Sequence, residues 1–189
     1  MKKSFFFVFS ITLFIIACSN KGNSLKTSLV DEAMAIADSV IDADDLLRYI
    51  AHYDSIGDER GELLIRQKYG TVKRNMSDFD MAVRQHDTCI QMATKQKDTL
   101  QLIIALNNQG TNFRRLGDLH EASNNHYAAL ELCDKTLSDT SYLARKNRVR
   151  TYNGLGNVML SLGNDSVAED LFRRALAGEK QLNSATGQA

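Results

Sequence analysis

Apolar side chains recur along this chain with helical spacing. In the middle of the sequence Leu100, Ile103, Ile104, Phe113 and Leu116 fall on or near one helical face. Start signals precede such stretches at Asp98-Thr99, at Asp118 and at Asp139-Thr140-Ser141, where a short side-chain oxygen can cap the first free amides of a helix. The pattern predicts helices over 59–76, 79–96, 99–116, 119–136, 140–162 and 165–181, with two further helices over 29–41 and 43–55.

The helices follow a repeated plan. Gly70 to Ala82, Gly110 to Ala122 and Gly156 to Ala168 are each twelve residues apart, and seven residues beyond each alanine stand Cys89, Ala129 and Ala175. Each of these is followed by an aliphatic residue, Ile90, Leu130 or Leu176, and seven residues beyond each glycine comes a turn residue, Ser77, Gly117 or Gly163. Small residues at fixed offsets fit two antiparallel helices that cross too closely for a larger side chain at the contact. The repeating unit is a helical hairpin.

These hairpins resemble the tetratricopeptide repeat over roughly residues 59–182, with a divergent unit over 29–56. The segment YNGLGNVMLSLGNDSVAEDLFRRAL places Tyr152, Leu155, Gly156, Gly163, Ala168, Phe172, Ala175 and Leu176 where the family places such residues. ALNNQGTNFRRLGDLHEASNNHYAALEL does so through Leu106, Gly110, Phe113, Gly117, Leu119, Ala122 and Ala129, and the weakest unit carries Tyr69, Gly70, Phe79 and Ala82. The family's closing proline is missing, since the chain has no proline, and the glycine spacings of 40 and 46 exceed the usual repeat of about 34, which calls for longer helices. The resemblance implies an all-α, right-handed superhelical solenoid of antiparallel hairpins, with three clear repeats and one divergent N-terminal hairpin.

The ends read differently. Residues 1–17 form a secretory signal, with Lys2 and Lys3 ahead of a mostly apolar run from Phe5 to Ala17 that is too short to span a bilayer. Ile15-Ile16-Ala17-Cys18 resembles the lipobox of bacterial lipoproteins, which implies a lipid on Cys18 and a place in the bacterial cell envelope, facing the periplasm. Residues 18–28 make a polar tether, the helical array covers 29–182, and 183–189 read as the start of a further, truncated repeat. The lipoprotein-like start and long repeats also resemble the tetratricopeptide lobes of Bacteroidota envelope sensors. The alternative to a free-standing binding module is therefore the periplasmic input lobe of a longer signalling protein that carries a histidine-kinase or DNA-binding part.

Charge and chemistry narrow the function. The chain has 23 basic and 23 acidic residues and a formal net charge of zero, which removes the attraction on which nonspecific nucleic-acid binding depends, so no nucleic acid is expected. His52, His86, His120 and His126 form no recognisable catalytic or metal-ligating motif, and no enzyme, cofactor or metal site is expected. His86 and His126 occupy equivalent positions, matched by Phe172 in the third repeat, and read as half-buried rings packed between helices. Cys89 and Cys133 sit where small residues pack and are expected to be unpaired despite the oxidising compartment. The strings Asn153-Gly154-Leu155-Gly156 and Leu162-Gly163-Asn164 lack the phosphate-loop pattern and are expected to serve packing. Arg145, Lys146, Arg148 and Arg150 form a basic run, read as a solvated helix face or as a patch that meets an acidic partner.

In tetratricopeptide folds the first helix of each hairpin lines a concave groove, and the residues three before and one after the glycine point into it. The resemblance places Gln67 and Thr71, Asn107 and Thr111, and Asn153 and Asn157 there, with Lys68, Arg74, Asn108, Arg114 and Arg150 nearby. Amides that donate and accept suit a peptide backbone, and the bases suit a carboxylate. The expected partner is a protein or peptide, acidic ones included; the bland alternative is that the same residues form a solvated helix face.

Overall fold

The computed structural model of the protein describes residues 29–136 and 140–186, with side chains through Asn183. The signal, Cys18, the tether and residues 187–189 lie outside the described residues, as does Asp139. All regular structure among the described residues is helical: α1 over 29–39, α2 Ala43–Ser55, α3 Glu59–Asn75, α4 Phe79–Lys95, α5 Thr99–Leu116, α6 Leu119–Lys135, α7 Tyr142–Ser161 and α8 Asp165–Thr186. The chain separates into two compact units that divide within α3, at Ile65 and Arg66.

The helix starts are where the acidic and hydroxyl residues place them. Asp78 accepts the Met81 amide at 3.2 Å, Asp98 the Gln101 amide at 3.1 Å, Asp118 the Glu121 amide at 3.0 Å and Ser141 the Ala144 amide at 3.2 Å. One expected boundary differs. Helix α8, read from the sequence over 165–181, runs on through Thr186. No glycine or other break interrupts Lys180-Gln-Leu-Asn-Ser-Ala-Thr, and Leu182, 3% exposed, packs with Val149 and Ala175.

In the unit that ends at Ile65, Ala33, Leu46, Ile50, Tyr53, Leu63 and Ile65 form the buried apolar set, and the ring of Tyr53 lies against Gly61. In the unit that begins at Arg66, α4 packs on α5, α5 on α6, α6 on α7 and α7 on α8, and α5 also meets α7 directly. Its core combines small residues buried at the crossings, Ala82, Ala122, Ala129, Ala168 and Ala175, with the aliphatic side chains of Ile103, Val149, Leu155, Val158 and Leu171.

The repeated glycines have a specific task. A methyl group on Gly70 would come 2.8 Å from the ring of His86, on Gly110 2.7 Å from that of His126, and on Gly156 2.6 Å from that of Phe172. Each first helix thus leaves a notch that receives the ring sixteen residues further on. Gly154 receives His126 from the other side, which explains the first glycine of Asn153-Gly154-Leu155-Gly156 as packing. The turn position after each first helix has a positive φ, at 63° for Ser77, 86° for Gly117 and 75° for Gly163.

Candidate functional site

The first helices of the three hairpins, α3, α5 and α7, bring the sequence-selected polar residues together, although several lie deeper than expected. Gln67, Asn107 and Asn108 are only 7%, 3% and 5% exposed, so they are not residues of an open face. They join successive first helices. The Gln67 amide donates to Gln101 Oε1 at 2.8 Å, Asn108 Nδ2 donates to Gln67 Oε1 at 3.3 Å, and Arg150 Nη2 donates to Asn108 Oδ1 at 3.4 Å. One chain of side-chain hydrogen bonds therefore links α3, α5 and α7.

Each buried histidine has its own set of hydrogen bonds. His86 Nε2 donates to the Gln67 carbonyl at 3.2 Å while its Nδ1 accepts from Asn112 Nδ2 at 2.8 Å, and Arg74 Nη1 donates to Asn112 Oδ1 at 3.1 Å. His126 Nδ1 donates to Asn107 Oδ1 at 3.1 Å, and Asn107 Nδ2 donates to Thr151 Oγ1 at 2.8 Å. Both rings are fully buried, at 0% and 1% exposure, where the sequence suggested half-burial: the glycine notches admit the whole ring. Both nitrogens of His86 are hydrogen-bonded, whereas His126 is held through Nδ1 alone and its Nε2 has no partner among the described residues. Burial is the main cause that lowers His86 to a pKa of about 4, helped by the charge of Arg74, and burial likewise lowers His126 to about 4, helped by Arg114 and Arg150. Both are neutral, structural residues. Among the described residues no cluster of histidine, cysteine and carboxylate side chains suits a metal ion, and Cys89 and Cys133 are buried and not in a disulfide.

The remaining residues lie nearer the surface. Asn153 and Asn157 are exposed, and Lys68, Thr71, Thr111 and Arg114 are half-buried. The residue just after each glycine bonds back by one turn: Thr71 Oγ1 to the Gln67 carbonyl at 3.0 Å, Thr111 Oγ1 to that of Asn107 at 2.9 Å, and Asn157 Nδ2 to that of Asn153 at 2.8 Å. Arg114 and Arg150 pair with no carboxylate among the described residues, whereas both arginines of the outer helix α8 do, Arg173 with Glu169 at 2.7 Å and Arg174 with Asp170 at 2.8 Å. In the basic run, Arg148 Nη2 donates to the Cys133 carbonyl at 3.1 Å, which ties α7 to α6.

Sequence reasoning missed Gln101, Asn112 and Thr151, which complete these buried hydrogen bonds. A signal was present for the first: Gln101, Asn108 and Arg115 stand seven apart and share one stripe of α5. The last hairpin also holds an apolar cleft of about 370 Å³ lined by Leu160, Ala168, Phe172 and Leu176, with Asp165, Glu169 and Arg173 at its edge.

A row of hairpins with ring-and-notch packing and a polar inner layer defines a helical-repeat protein. Tetratricopeptide-repeat family models match residues 62–135 and 148–183, together more than half of the chain, and the chain belongs to that family. Such repeats make it a protein-interaction module. No curated protein matches it.

Proposed function

We propose that the protein is a non-enzymatic adaptor, held to a bacterial envelope membrane by a lipid on Cys18, that binds an acidic protein or peptide along α3, α5 and α7. The supporting observation is the asymmetry of charge pairing: Arg114 and Arg150 on the inner helices lack carboxylate partners among the described residues, while the outer α8 pairs its arginines one turn apart. An acidic side chain or C-terminal carboxylate would supply the missing anion, and the exposed Asn153 amide would hold a backbone group beside it. The lipobox-like Ile15-Ile16-Ala17-Cys18 and the polar tether support the anchor.

The test uses the chain from Cys18 onward and fluorescent peptide pools that differ only in charge. Acidic pools should bind better than basic ones, and an Arg114→Glu/Arg150→Glu variant that keeps its helical signal should lose or invert the preference. Equal binding of both pools would refute the acidic reading.

A further inference from the structure

A second cleft, of about 320 Å³, lies at the end of the first hairpin of this unit, lined by Arg74, Asn75, Ser77, Phe79 and Arg115. It is built from the C-terminal turn of α3, the bend into α4 and the end of α5. Two guanidinium groups line it and no carboxylate does. The nearby Asp78 is already occupied: one oxygen caps α4 through the Met81 amide at 3.2 Å, and the other lies 3.7 Å from Lys73. Arg74 spends one nitrogen on Asn112 and the Asn108 carbonyl, at 3.1 and 3.4 Å, and its other nitrogens have no protein acceptor among the described residues. The side chains of Arg115, Asn75 and Ser77 have none either.

Like charges that share a partly desolvated cleft repel one another. Burial is the leading cause that lowers Arg74 to a pKa of about 10, with the charges of Arg150 and Arg115 adding to it. The turn carries a second sign. The other two hairpins have glycine at this left-handed position, Gly117 and Gly163, whereas here Ser77 takes a φ of 63°. A serine gives up backbone comfort there and places a hydroxyl on the wall of the arginine cleft.

We propose that this cleft is a binding site for a phosphate group. Two guanidinium groups, a hydroxyl and a carboxamide offer more donors than the two oxygens of a carboxylate accept, and they match a tetrahedral anion that carries nearly two charges at neutral pH. The volume exceeds that of the phosphate alone, and the Phe79 ring gives the remainder an apolar wall suited to the organic part of a monoester. This site uses Arg74, which the sequence placed near the groove, but neither Arg114 nor Arg150, and it does not depend on the peptide-binding reading.

The full chain is titrated with inorganic phosphate, phenyl phosphate and acetate by calorimetry. Phosphate should bind on the order of 10-fold more tightly than acetate, the worth of about one additional charge-assisted hydrogen bond. Phenyl phosphate binding more tightly than phosphate identifies an ester as the ligand, and equal binding identifies free phosphate. Arg115→Gln, an exposed change with no internal partner to strand, should weaken phosphate by about 10-fold. Ser77→Gly should weaken phosphate while raising the thermal midpoint by up to ~4 °C through relief of the left-handed serine. Acetate binding as tightly as phosphate, or phosphate binding unchanged in both variants, would overturn the proposal; Asn153→Ala should leave it untouched.

Discussion

Replacing His86 and His126 together with phenylalanine tests the inner architecture through pH. In the folded chain both rings have a pKa of about 4, against 6.5 in the unfolded chain. Below pH 6.5 the unfolded state takes up protons that the folded state refuses, so stability falls as pH falls, until the folded rings protonate near pH 4. Each ring contributes a slope of about 1.4 kcal/mol per pH unit, and on the order of 3 kcal/mol is lost per ring across the window. Phenylalanine fits the notch, because Phe172 fills the same notch over Gly156. The double variant strands Asn107 Oδ1, whereas Asn112 Nδ2 keeps Gln109 Oε1 and the Gln67 carbonyl keeps the Thr71 hydroxyl, so it should be less stable at pH 7 by roughly 1 to 3 kcal/mol, yet nearly flat between pH 6.5 and 4.5. Urea unfolding at half-unit pH steps gives both numbers. An equally steep slope in the variant, or a flat one in the wild type, would show that the rings are not held neutral in the interior.

The other expectations follow from the same contacts. Asn107→Ala should destabilise the chain by about 1 to 3 kcal/mol, because it strands the buried His126 N–H, although the Thr151 hydroxyl keeps its bond to the Asn147 carbonyl, while Asn153→Ala should stay within about 0.5 kcal/mol; urea midpoints of the two variants separate the buried chain from the open face. Gly110→Ala should cost on the order of 2 kcal/mol despite the better helix propensity of alanine, since the new methyl meets the His126 ring at 2.7 Å and the Ala122 carbonyl oxygen at 3.0 Å, and thermal unfolding reads it. Cys18→Ala should abolish incorporation of labelled fatty acid and move the protein to the soluble fraction, and membrane association equal to wild type would contradict the anchor.

The hairpin plan was legible because three constraints coincide in sequence. The glycine notch, the ring that fills it and the left-handed turn recur at fixed offsets, and helix caps such as Asp98 and Asp118 mark the starts. The depth of the polar residues was not legible. Offsets from a glycine place Asn107 and Asn153 on equivalent points of α5 and α7, yet Asn107 is 3% exposed and Asn153 open. The difference comes from the neighbour: α7 lies against α5 and presents Thr151 to Asn107, while Asn153 has no such partner among the described residues. Gln67 is buried in the same way by Gln101. Amide hydrogen bonds between successive first helices depend on which residue the next repeat presents, and that is information about pairs across about 34 to 44 residues, beyond the reach of helical periodicity. The helix read over 165–181 runs five residues further, to Thr186, because no glycine or other break stands between Lys180 and Thr186.

The most direct test of the interaction surface is site-specific photocrosslinking to a bound acidic peptide. A crosslinking residue replaces the exposed Asn157 on α7 in one protein and the exposed Gln91 on α4 in another, each checked for unchanged unfolding. The account predicts peptide adducts from position 157 that disappear in the Arg114→Glu/Arg150→Glu background, and none from position 91. Adducts from position 91 alone would contradict it and move recognition to the outer helices.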